Sequence, residues 1–426
     1  MQASIRLDQS VVTVAVDDTV HVLVELEAPP SKTDVIRPPL DLVAVIDRSG
    51  SMNGQPIEAV KSAIDLLVRL IGPDDRLALI SFDDQVDVNL PLEHHTAETA
   101  SPHISRIFAR GSTNLSGGWL KAVELLSAAR PEAARKIILL TDGHANVGIT
   151  DSVQLLALAG AQAQHDISTT TIGYGLKFDE ELLGAIADAG QGNAYFAEGP
   201  DDAPRIFGSE FDGLSSIVAQ NLSVEIRVNQ SVSVVNILND YPTSPAEHGV
   251  TISLGDAYDN EKRSLIAKLQ VPGLADLGPA VIAELVLRYT AIGEVVKLHT
   301  ITIPVEINVT DAATAQAAGV DDAVVEEVLN LNAVSARKQA RRLSRKGDIS
   351  AASKILSDTA NDIRTKSAFL QSPIAILAEA DDLESDRDQL ANPATTSLSA
   401  KAMWAKERSM SRKRGARGHD TQPSEE

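Results

Sequence analysis

The stretch Asp41-Leu-Val-Ala-Val-Ile-Asp-Arg-Ser-Gly-Ser-Met-Asn-Gly54 decides the fold. It begins with a continuous apolar run that ends at Asp47, and a polar loop follows before a segment of helical period begins. A continuous apolar strand is typical of a sheet covered on both faces, and a helix after such a strand indicates a βαβ unit. The stretch therefore predicts a parallel strand whose carboxyl end carries polar side chains.

The same pattern repeats down the chain to about residue 218. Apolar runs at Leu42–Ile46, Leu77–Ile80, Lys136–Leu140 and Ser168–Ile172 alternate with longer segments of helical period. The first of these helices is indicated by Ile57, Val60, Ile64 and Leu67, which recur at steps of three and four residues. Residues 39–220 are therefore predicted to form a doubly wound α/β domain with a parallel sheet.

Sequence patterns typical of β-strands flank this domain on both sides. Residues 221–312 contain a series of β-rich runs without helical period, which predicts an antiparallel sandwich. Residues 1–38 contain two further runs, Ser10–Val16 and Val20–Leu26. Because two strands do not form a stable sheet alone, we expect residues 1–38 to complete the sandwich of 221–312, so that the α/β domain is inserted into it.

Residues 316–390 are Ala-rich and have helical period. One helix is expected to end at Lys346-Gly347, with Asp348 as the N-cap of the next, and Pro373–Leu390 adds a third. A helical hairpin or three-helix unit is therefore predicted. Residues 391–426 are polar and are expected to form a flexible tail.

Composition excludes several classes of function. The chain has no cysteine, which excludes disulfide frameworks and thiolate zinc sites, and its formal net charge is -21, which argues against a general nucleic-acid binder. The basic tail segment 401–417 is the one possible exception. With no signal-peptide pattern at the N-terminus and no apolar run long enough for a bilayer, we expect a cytoplasmic protein without membrane contact.

Three segments carry oxygen donors at places where a parallel sheet binds ligands. Asp47, Ser49 and Ser51 follow the first strand at a spacing of two, and Asp142 follows another strand in Thr141-Asp142-Gly143. Thr113 lies in a Gly-led loop that opens a helix. Each motif alone is more often a helix cap or a turn, but together they favour a site for Mg²⁺ or Mn²⁺, with Ca²⁺ possible.

These residues and several others resemble a von Willebrand factor A domain. The additional matching segments are Gly72-Pro-Asp-Asp-Arg-Leu77, Ile80-Ser-Phe82, Ile172-Gly-Tyr-Gly175 and Gly190-Gln-Gly-Asn-Ala-Tyr195. The resemblance implies that Asp47, Ser49, Ser51, Thr113 and Asp142 form a metal-ion-dependent adhesion site. The flanking segments resemble bacterial and plant proteins in which the A domain interrupts a β-sandwich.

The resemblance also implies a mechanism. A divalent cation held largely by neutral hydroxyls keeps an open coordination position, which an Asp or Glu of a protein partner fills. Arg48 departs from the family pattern, where a small or apolar residue is common. Arg48, Asn114 and His144 are predicted to form the rim that contacts the partner. The chain is therefore predicted to be a protein-binding module and not an enzyme.

Three alternatives remain at this stage. A Mg²⁺-dependent phosphohydrolase would use Asp47 as nucleophile, but it needs a cation for the phosphate, and Arg48 is the only local candidate. A scaffolding protein with a vestigial metal site is the second alternative. An adaptor subunit of a AAA+ ATPase is the third, and it is a special case of the binding hypothesis.

Overall fold

The computed structural model divides into two compact units, Asp34–Ile217 (the α/β unit) and Met1–Thr33 with Val218–Glu426 (the sandwich unit). The residues that the structure describes are 1–30, 39–130, 133–163, 165–175, 177–199, 202–214, 217–229, 231–291, 297–392, 400, 401, 403, 404, 406–408 and 410.

The strands and helices are numbered in chain order. The strands are β1 (Gln2–Leu7), β2 (Val11–Thr13), β3 (Asp18–Glu27), β4 (Leu40–Asp47), β5 (Arg76–Phe82), β6 (Val86–Glu93), β7 (Ala134–Thr141), β8 (Ile167–Tyr174), β9 (Gln191–Ala197), β10 (Ile217–Val228), β11 (Ser233–Ile237), β12 (Thr243–Ala246), β13 (Gly249–Tyr258), β14 (Lys262–Val271), β15 (Gly278–Ala291) and β16 (Lys297–Thr310). The helices are α1 (Gln55–Leu70), α2 (Ala97–Ile104), α3 (Leu115–Ser127), α4 (Ser152–Ala163), α5 (Glu180–Ala189), α6 (Asp202–Leu214), α7 (Ala312–Ala317), α8 (Asp322–Arg345), α9 (Ile349–Ser367) and α10 (Ile374–Ala391).

The α/β unit is built on a six-stranded sheet in the order β6-β5-β4-β7-β8-β9. Five of these strands are parallel, and every residue of the central strand β4 is buried. The edge strand β6 is antiparallel to β5, which the prediction of a parallel sheet did not include. Only Asp83, Asp84 and Gln85 join the two strands, a connection too short for a parallel crossover.

Helices cover both faces of this sheet. Leu42, Ala44 and Ile46 of β4 share a core cluster with α1 and α6, while α3, α4 and α5 pack on strands β4, β7 and β8. Successive strand side chains point to opposite faces, so β4 is buried on both sides. Ile46 lies opposite Leu140 in the register of β4 and β7. Their carboxyl ends, with Asp47 and Thr141, therefore meet at one edge.

The sandwich unit contains two sheets, β1-β3-β14-β11 and β12-β13-β10-β15-β16-β2. Strand β3 lies between β1 and β14 and pairs with β14 from Asp18 opposite Val271 to Glu27 opposite Lys262. Strand β2 pairs with β16 in parallel. Residues before 31 and after 217 thus contribute strands to both sheets. Side chains from both sheets form one mainly aliphatic core cluster, for example Val24, Leu265 and Leu285.

The helical segment belongs to the same unit. Helix α8 is capped by Asp321, whose side chain accepts hydrogen bonds from the backbone N–H groups of Ala323 and Val324. It ends before Gly347, whose φ of 82° suits a helix terminus, and Asp348 caps α9 at the predicted place. Helix α10 is the third helix. In the described part of the chain, no helix is both long and apolar enough to cross a bilayer.

Part of the predicted flexible tail is helical in the structure. The described residues between 400 and 410 are helical, and Met403 and Trp404 are buried. The reason is a long-range contact, because the Glu407 carboxylate pairs with the buried Arg341 guanidinium of α8 at 2.7 Å. Lys401, Lys406 and Arg408 lie in this helical part. The other basic residues of the segment 401–417 lie outside the described residues, namely Arg412, Lys413, Arg414 and Arg417.

Candidate functional site

The site begins with Asp47, the last residue of β4. Its carboxylate is fully buried and both oxygens accept hydrogen bonds. The backbone N–H of Ser49 donates to Oδ1 at 2.7 Å, and the hydroxyl of Thr141 donates to Oδ2 at 2.5 Å. Because Thr141 ends the neighbouring parallel strand β7, the register of the two strands brings this hydroxyl to Asp47.

Ser49, Ser51 and Asp142 form a continuous chain of oxygen atoms. The Oγ atoms of Ser49 and Ser51 are 3.1 Å apart, and Ser51 Oγ donates to Asp142 Oδ1 at 2.7 Å. These residues come from two segments, residues 47–51, which begin at the last residue of β4 (the Asp47 loop), and residues 141–147, which begin at the last residue of β7 (the Asp142 loop). The structure therefore brings together four of the five residues that the sequence predicts as metal ligands.

Thr113 lies in residues 110–114 (the Thr113 loop), which is tied to the Asp142 loop. Its backbone N–H donates to Asn146 Oδ1 at 2.8 Å, and its carbonyl accepts from the N–H groups of Asn146 and Val147. A Cβ placed on Gly143 would lie 3.6 Å from Thr113 Oγ1. The Thr113 hydroxyl thus borders the residue that follows Asp142.

The two carboxylates are electrostatically unusual. The pKa of Asp47 is raised to about 6, chiefly by burial and in smaller part by the negative charge of Asp142, against the hydrogen bonds from Thr141 and Ser49. Burial also raises the pKa of Asp142. The positive charge of Lys177 acts on Asp142 in the opposite direction and lowers its pKa in part. Two buried carboxylates whose pKa values remain raised carry an electrostatic penalty that a bound cation would reduce.

The donor set fits a hard divalent cation. It consists of carboxylate and hydroxyl oxygens, which Mg²⁺ and Mn²⁺ prefer, and it contains no nitrogen or sulfur ligand. Among the described residues, no group of three or more His, Asp or Glu side chains is placed to hold a metal. A cation in this site would thus be held by two carboxylates at most, with hydroxyls and water supplying the remaining ligands.

The prediction that Arg48 lies on a partner-binding rim is wrong. Its side chain is only 6% exposed, and its guanidinium points away from solvent toward the end of β5. Nε donates to Asp83 Oδ2 at 3.1 Å, and Nη1 donates to Ser81 Oγ at 3.1 Å and pairs with Asp87 at 2.6 Å. A buried guanidinium needs such acceptors, and β5 and the start of β6 provide them.

The other two predicted rim residues have different environments. Asn114 caps α3, since its side chain accepts from the backbone N–H of Gly117 at 2.9 Å, so its part in the site is to orient the helix after Thr113. His144 is exposed, with 68% of its side chain accessible, and its Nδ1 lies 3.8 Å from Asp179 Oδ2. Of the three, His144 is free to contact a partner.

Sequence reasoning missed three residues that organise the site. These are Thr141, which bonds to Asp47, Asn146, which holds the Thr113 loop, and Asp83, which binds Arg48. Asp83 carried a usable signal, because it follows the apolar strand β5 just as Asp47 and Asp142 follow theirs. Asn146 carried none, because its role depends on the path of a loop.

Part of the chain matches a known domain family. Residues 41–208 match the von Willebrand factor type A domain model. An uncharacterized protein of Synechocystis sp. is 28% identical over 263 residues, which cover 59% of this chain and 62% of that protein. The E3 ubiquitin-protein ligase WAV3 of Arabidopsis thaliana is also 28% identical, over 56% of this chain and 32% of the ligase. The chain thus spans under two thirds of the length of these relatives.

The fold has a close counterpart among solved structures. A von Willebrand factor type A protein from Catenulispora acidiphila superposes with a TM-score of 0.73, covering 95% of this chain and 96% of its own, at 16% sequence identity. At that identity the likeness concerns the fold alone. The parallel sheet, the helices on both faces and the family match agree on residues 41–208. This part of the chain is a von Willebrand factor type A domain.

Proposed function

We propose that the chain is a metal-dependent protein-binding module. Asp47, Ser49, Ser51, Thr113 and Asp142 hold a divalent cation, with Mg²⁺ as the expected ion, and a partner protein contributes an Asp or Glu carboxylate. The observation that carries the proposal is the run of Ser49 Oγ, Ser51 Oγ and Asp142 Oδ1, spaced 3.1 and 2.7 Å apart across two loops.

The composition of the site supports an open coordination position. Three of the five donors are neutral hydroxyls, and both Asp47 oxygens already accept hydrogen bonds from Thr141 and Ser49. A cation bound there keeps much of its positive charge and attracts a further carboxylate. Ser51 is exposed, so the donors are reachable from solvent on this side of the domain. A carboxylate from another protein can therefore approach.

The geometry favours binding over phosphate chemistry. A phosphohydrolase with Asp47 as nucleophile needs Asp47 to be accessible and needs a cation that neutralises the phosphate. Asp47 is fully buried with both oxygens occupied, and Arg48 is engaged with Asp83, Ser81 and Asp87. The proposed nucleophile and the phosphate-binding cation are thus both engaged by other groups of the protein.

The proposal is tested by capture of a partner from cell extract on the immobilised full-length chain. We expect one or more proteins to be retained in Mg²⁺, released by a chelator, and absent when Asp142→Ala is the bait. Asp151→Ala is the matched control, because Asp151 is an exposed carboxylate that lies between the Asp142 loop and α4. Within the described part of the chain, its side chain accepts a hydrogen bond from the backbone N–H of Gln154 in α4 and contacts none of the predicted ligands.

The captured partner then allows a more stringent test. Replacing one of its Asp or Glu residues by the amide should abolish the Mg²⁺-dependent binding, since Asn and Gln keep the shape but lose the charge. Retention that survives both the chelator and Asp142→Ala contradicts the proposal.

A further inference from the structure

We propose that Asp83 is a positioning residue of the metal site, which sets the separation of the Asp47 loop and the Thr113 loop through Arg48 and Arg110. The inference rests on the proposed function, because it concerns the same cation. Asp83 itself is not a ligand in this account. Its carboxylate is fully buried at the end of β5, the strand beside β4.

The carboxylate of Asp83 contacts both loops. From the Asp47 loop, Arg48 donates through Nε to Oδ2 at 3.1 Å and through Nη2 to Oδ1 at 3.3 Å. From the Thr113 loop, Arg110 donates through Nε to Oδ2 at 2.8 Å. The backbone N–H of Gln85 donates to Oδ1 at 2.6 Å. The Asp83 carboxylate therefore links Arg48, which lies between two predicted ligands, to the Thr113 loop.

Backbone hydrogen bonds run through the same junction. The Arg48 N–H donates to the Phe82 carbonyl at 2.8 Å, and the Arg110 N–H donates to the Arg48 carbonyl at 2.7 Å. The Asn114 N–H donates to the Asp83 carbonyl at 2.8 Å. The backbone before Thr113 is thus hydrogen-bonded to the Asp47 loop, and the backbone after Thr113 is hydrogen-bonded to Asp83.

Gly111 shows how tightly the loops fit. Its φ is +70°, and a Cβ there would lie 2.1 Å from Asp84 Oδ1 and 3.1 Å from Asp83 Cβ. The Gly111 carbonyl accepts from the N–H of Gly50 in the Asp47 loop at 3.2 Å. The Thr113 loop therefore packs directly against Asp83, and a shift of the Asp83 side chain would be transmitted to it.

Removal of the Asp83 charge would leave Arg48 with an incomplete set of acceptors. The Arg48 side chain is 6% exposed, and among the described residues its remaining acceptors would be Ser81 and the half-exposed Asp87. Arg48 would move toward Asp87, and the backbone between Asp47 and Ser49 would follow. Mg²⁺ requires near-octahedral ligands at short distances, whereas Ca²⁺ accepts longer and more irregular ones. Loss of positioning should thus weaken Mg²⁺ binding more than Ca²⁺ binding.

Asp41 provides a matched control. It is also a fully buried aspartate that accepts from two arginines, Arg76 at 2.8 Å and Arg130 at 2.6 Å. It lies at the opposite end of β4, about 20 Å from Asp47 at the rise of an extended strand. Asp41→Asn therefore removes the same kind of charge cluster without touching the metal loops.

The experiment is calorimetric titration of the full-length wild type, Asp83→Asn and Asp41→Asn with Mg²⁺ and separately with Ca²⁺. For Asp83→Asn we expect the Mg²⁺ dissociation constant to rise about 10-fold to 100-fold, as for other residues that orient metal ligands. We expect its Ca²⁺ constant to rise less, and Asp41→Asn to leave both constants unchanged. Circular dichroism melts show whether each variant is folded.

Three outcomes would overturn the inference. Unchanged Mg²⁺ affinity in Asp83→Asn, an equal loss in Asp41→Asn, or an equal loss for both ions each contradicts positioning by Asp83. If Asp83→Asn does not fold, Arg110→Gln is tested in its place, because Arg110 is 60% exposed and makes the second contact with Asp83. Unchanged Mg²⁺ affinity in Arg110→Gln would then overturn the inference. A wild type that binds neither ion overturns the proposed function itself, which distinguishes the two failures.

Discussion

Deletion of residues 1–30 is predicted to unfold the sheets of the sandwich unit and to leave the α/β unit intact. Strand β3 lies inside one sheet, with β1 on one side and ten residues of β14 paired on the other. Val20, Val22, Val24 and Leu26 of β3 are each at most 3% exposed and belong to the shared core.

The expected loss in the free energy of unfolding follows from these four side chains. Burial of each contributes about 1.5–3 kcal/mol, which gives about 6–12 kcal/mol for the set. A typical folded domain has a free energy of unfolding of about 5–15 kcal/mol. Loss of β3 therefore removes about as much stabilisation as the unit has in total. The α/β unit has its own core, built around β4 and α1, and the deletion removes nothing from it.

Hydrogen–deuterium exchange with mass spectrometry measures both effects in one sample. In the deletion variant, peptides that cover β14 should exchange at the rate of an unfolded chain, and peptides that cover β4 and β7 should keep wild-type protection. Full protection of β14 after the deletion would refute the reasoning, because the sheet would then be stable without its N-terminal strands.

Three further predictions concern separate parts of the chain. Burial alone would raise the pKa of Glu210, but the Lys136 ammonium and hydroxyl donors hold it at about 2, below its ordinary value of 4.5. The ionised carboxylate therefore adds roughly 3 kcal/mol to the free energy of unfolding above about pH 5, and this contribution is lost as the pH falls toward 2. Chemical denaturation of Glu210→Gln should give a stability deficit against wild type that shrinks between pH 5 and pH 3, and a constant deficit would contradict the ion pair. Leu356→Ala, at a fully buried position in the helical core, should cost about 2–5 kcal/mol in urea melts, whereas Ile374→Ala at an exposed position should cost under about 0.5 kcal/mol. His144→Ala should weaken partner capture while Mg²⁺ affinity, measured by calorimetry, stays at the wild-type value; equal capture by both chains would remove His144 from the rim.

Much of the α/β unit could be predicted from the sequence because its signals are local. The buried strands appear as continuous apolar runs, and the stripe from Ile57 to Leu67 matches α1. The helix boundaries at Asp348 and Gly347 follow from capping chemistry that one turn of chain determines. Asp47 and Asp142 could be placed at one sheet edge because both follow parallel strands.

The remaining features depend on contacts between distant residues. The orientation of Arg48 is set by Asp83, 35 residues away, so a loop arginine looked like a surface residue. The helix around Trp404 is held by Arg341 and Glu407, 66 residues apart, so a polar segment looked like a flexible tail. Strand β6 is exposed or half-buried except at Leu90 and contains Pro91, so it lacks the continuous apolar run that marks the central strands.

Binding of Mn²⁺ tests the central claim most directly. Mn²⁺ accepts the same oxygen ligands as Mg²⁺, and its free ion gives a strong paramagnetic resonance signal that is lost on binding. In titrations of the full-length chain, we predict that wild type removes about one equivalent of free Mn²⁺ that excess Mg²⁺ releases. Asp142→Ala, with an unchanged circular dichroism spectrum, should remove none. A wild-type chain that leaves the Mn²⁺ signal unchanged, or an Asp142→Ala chain that binds as wild type does, would contradict the metal site.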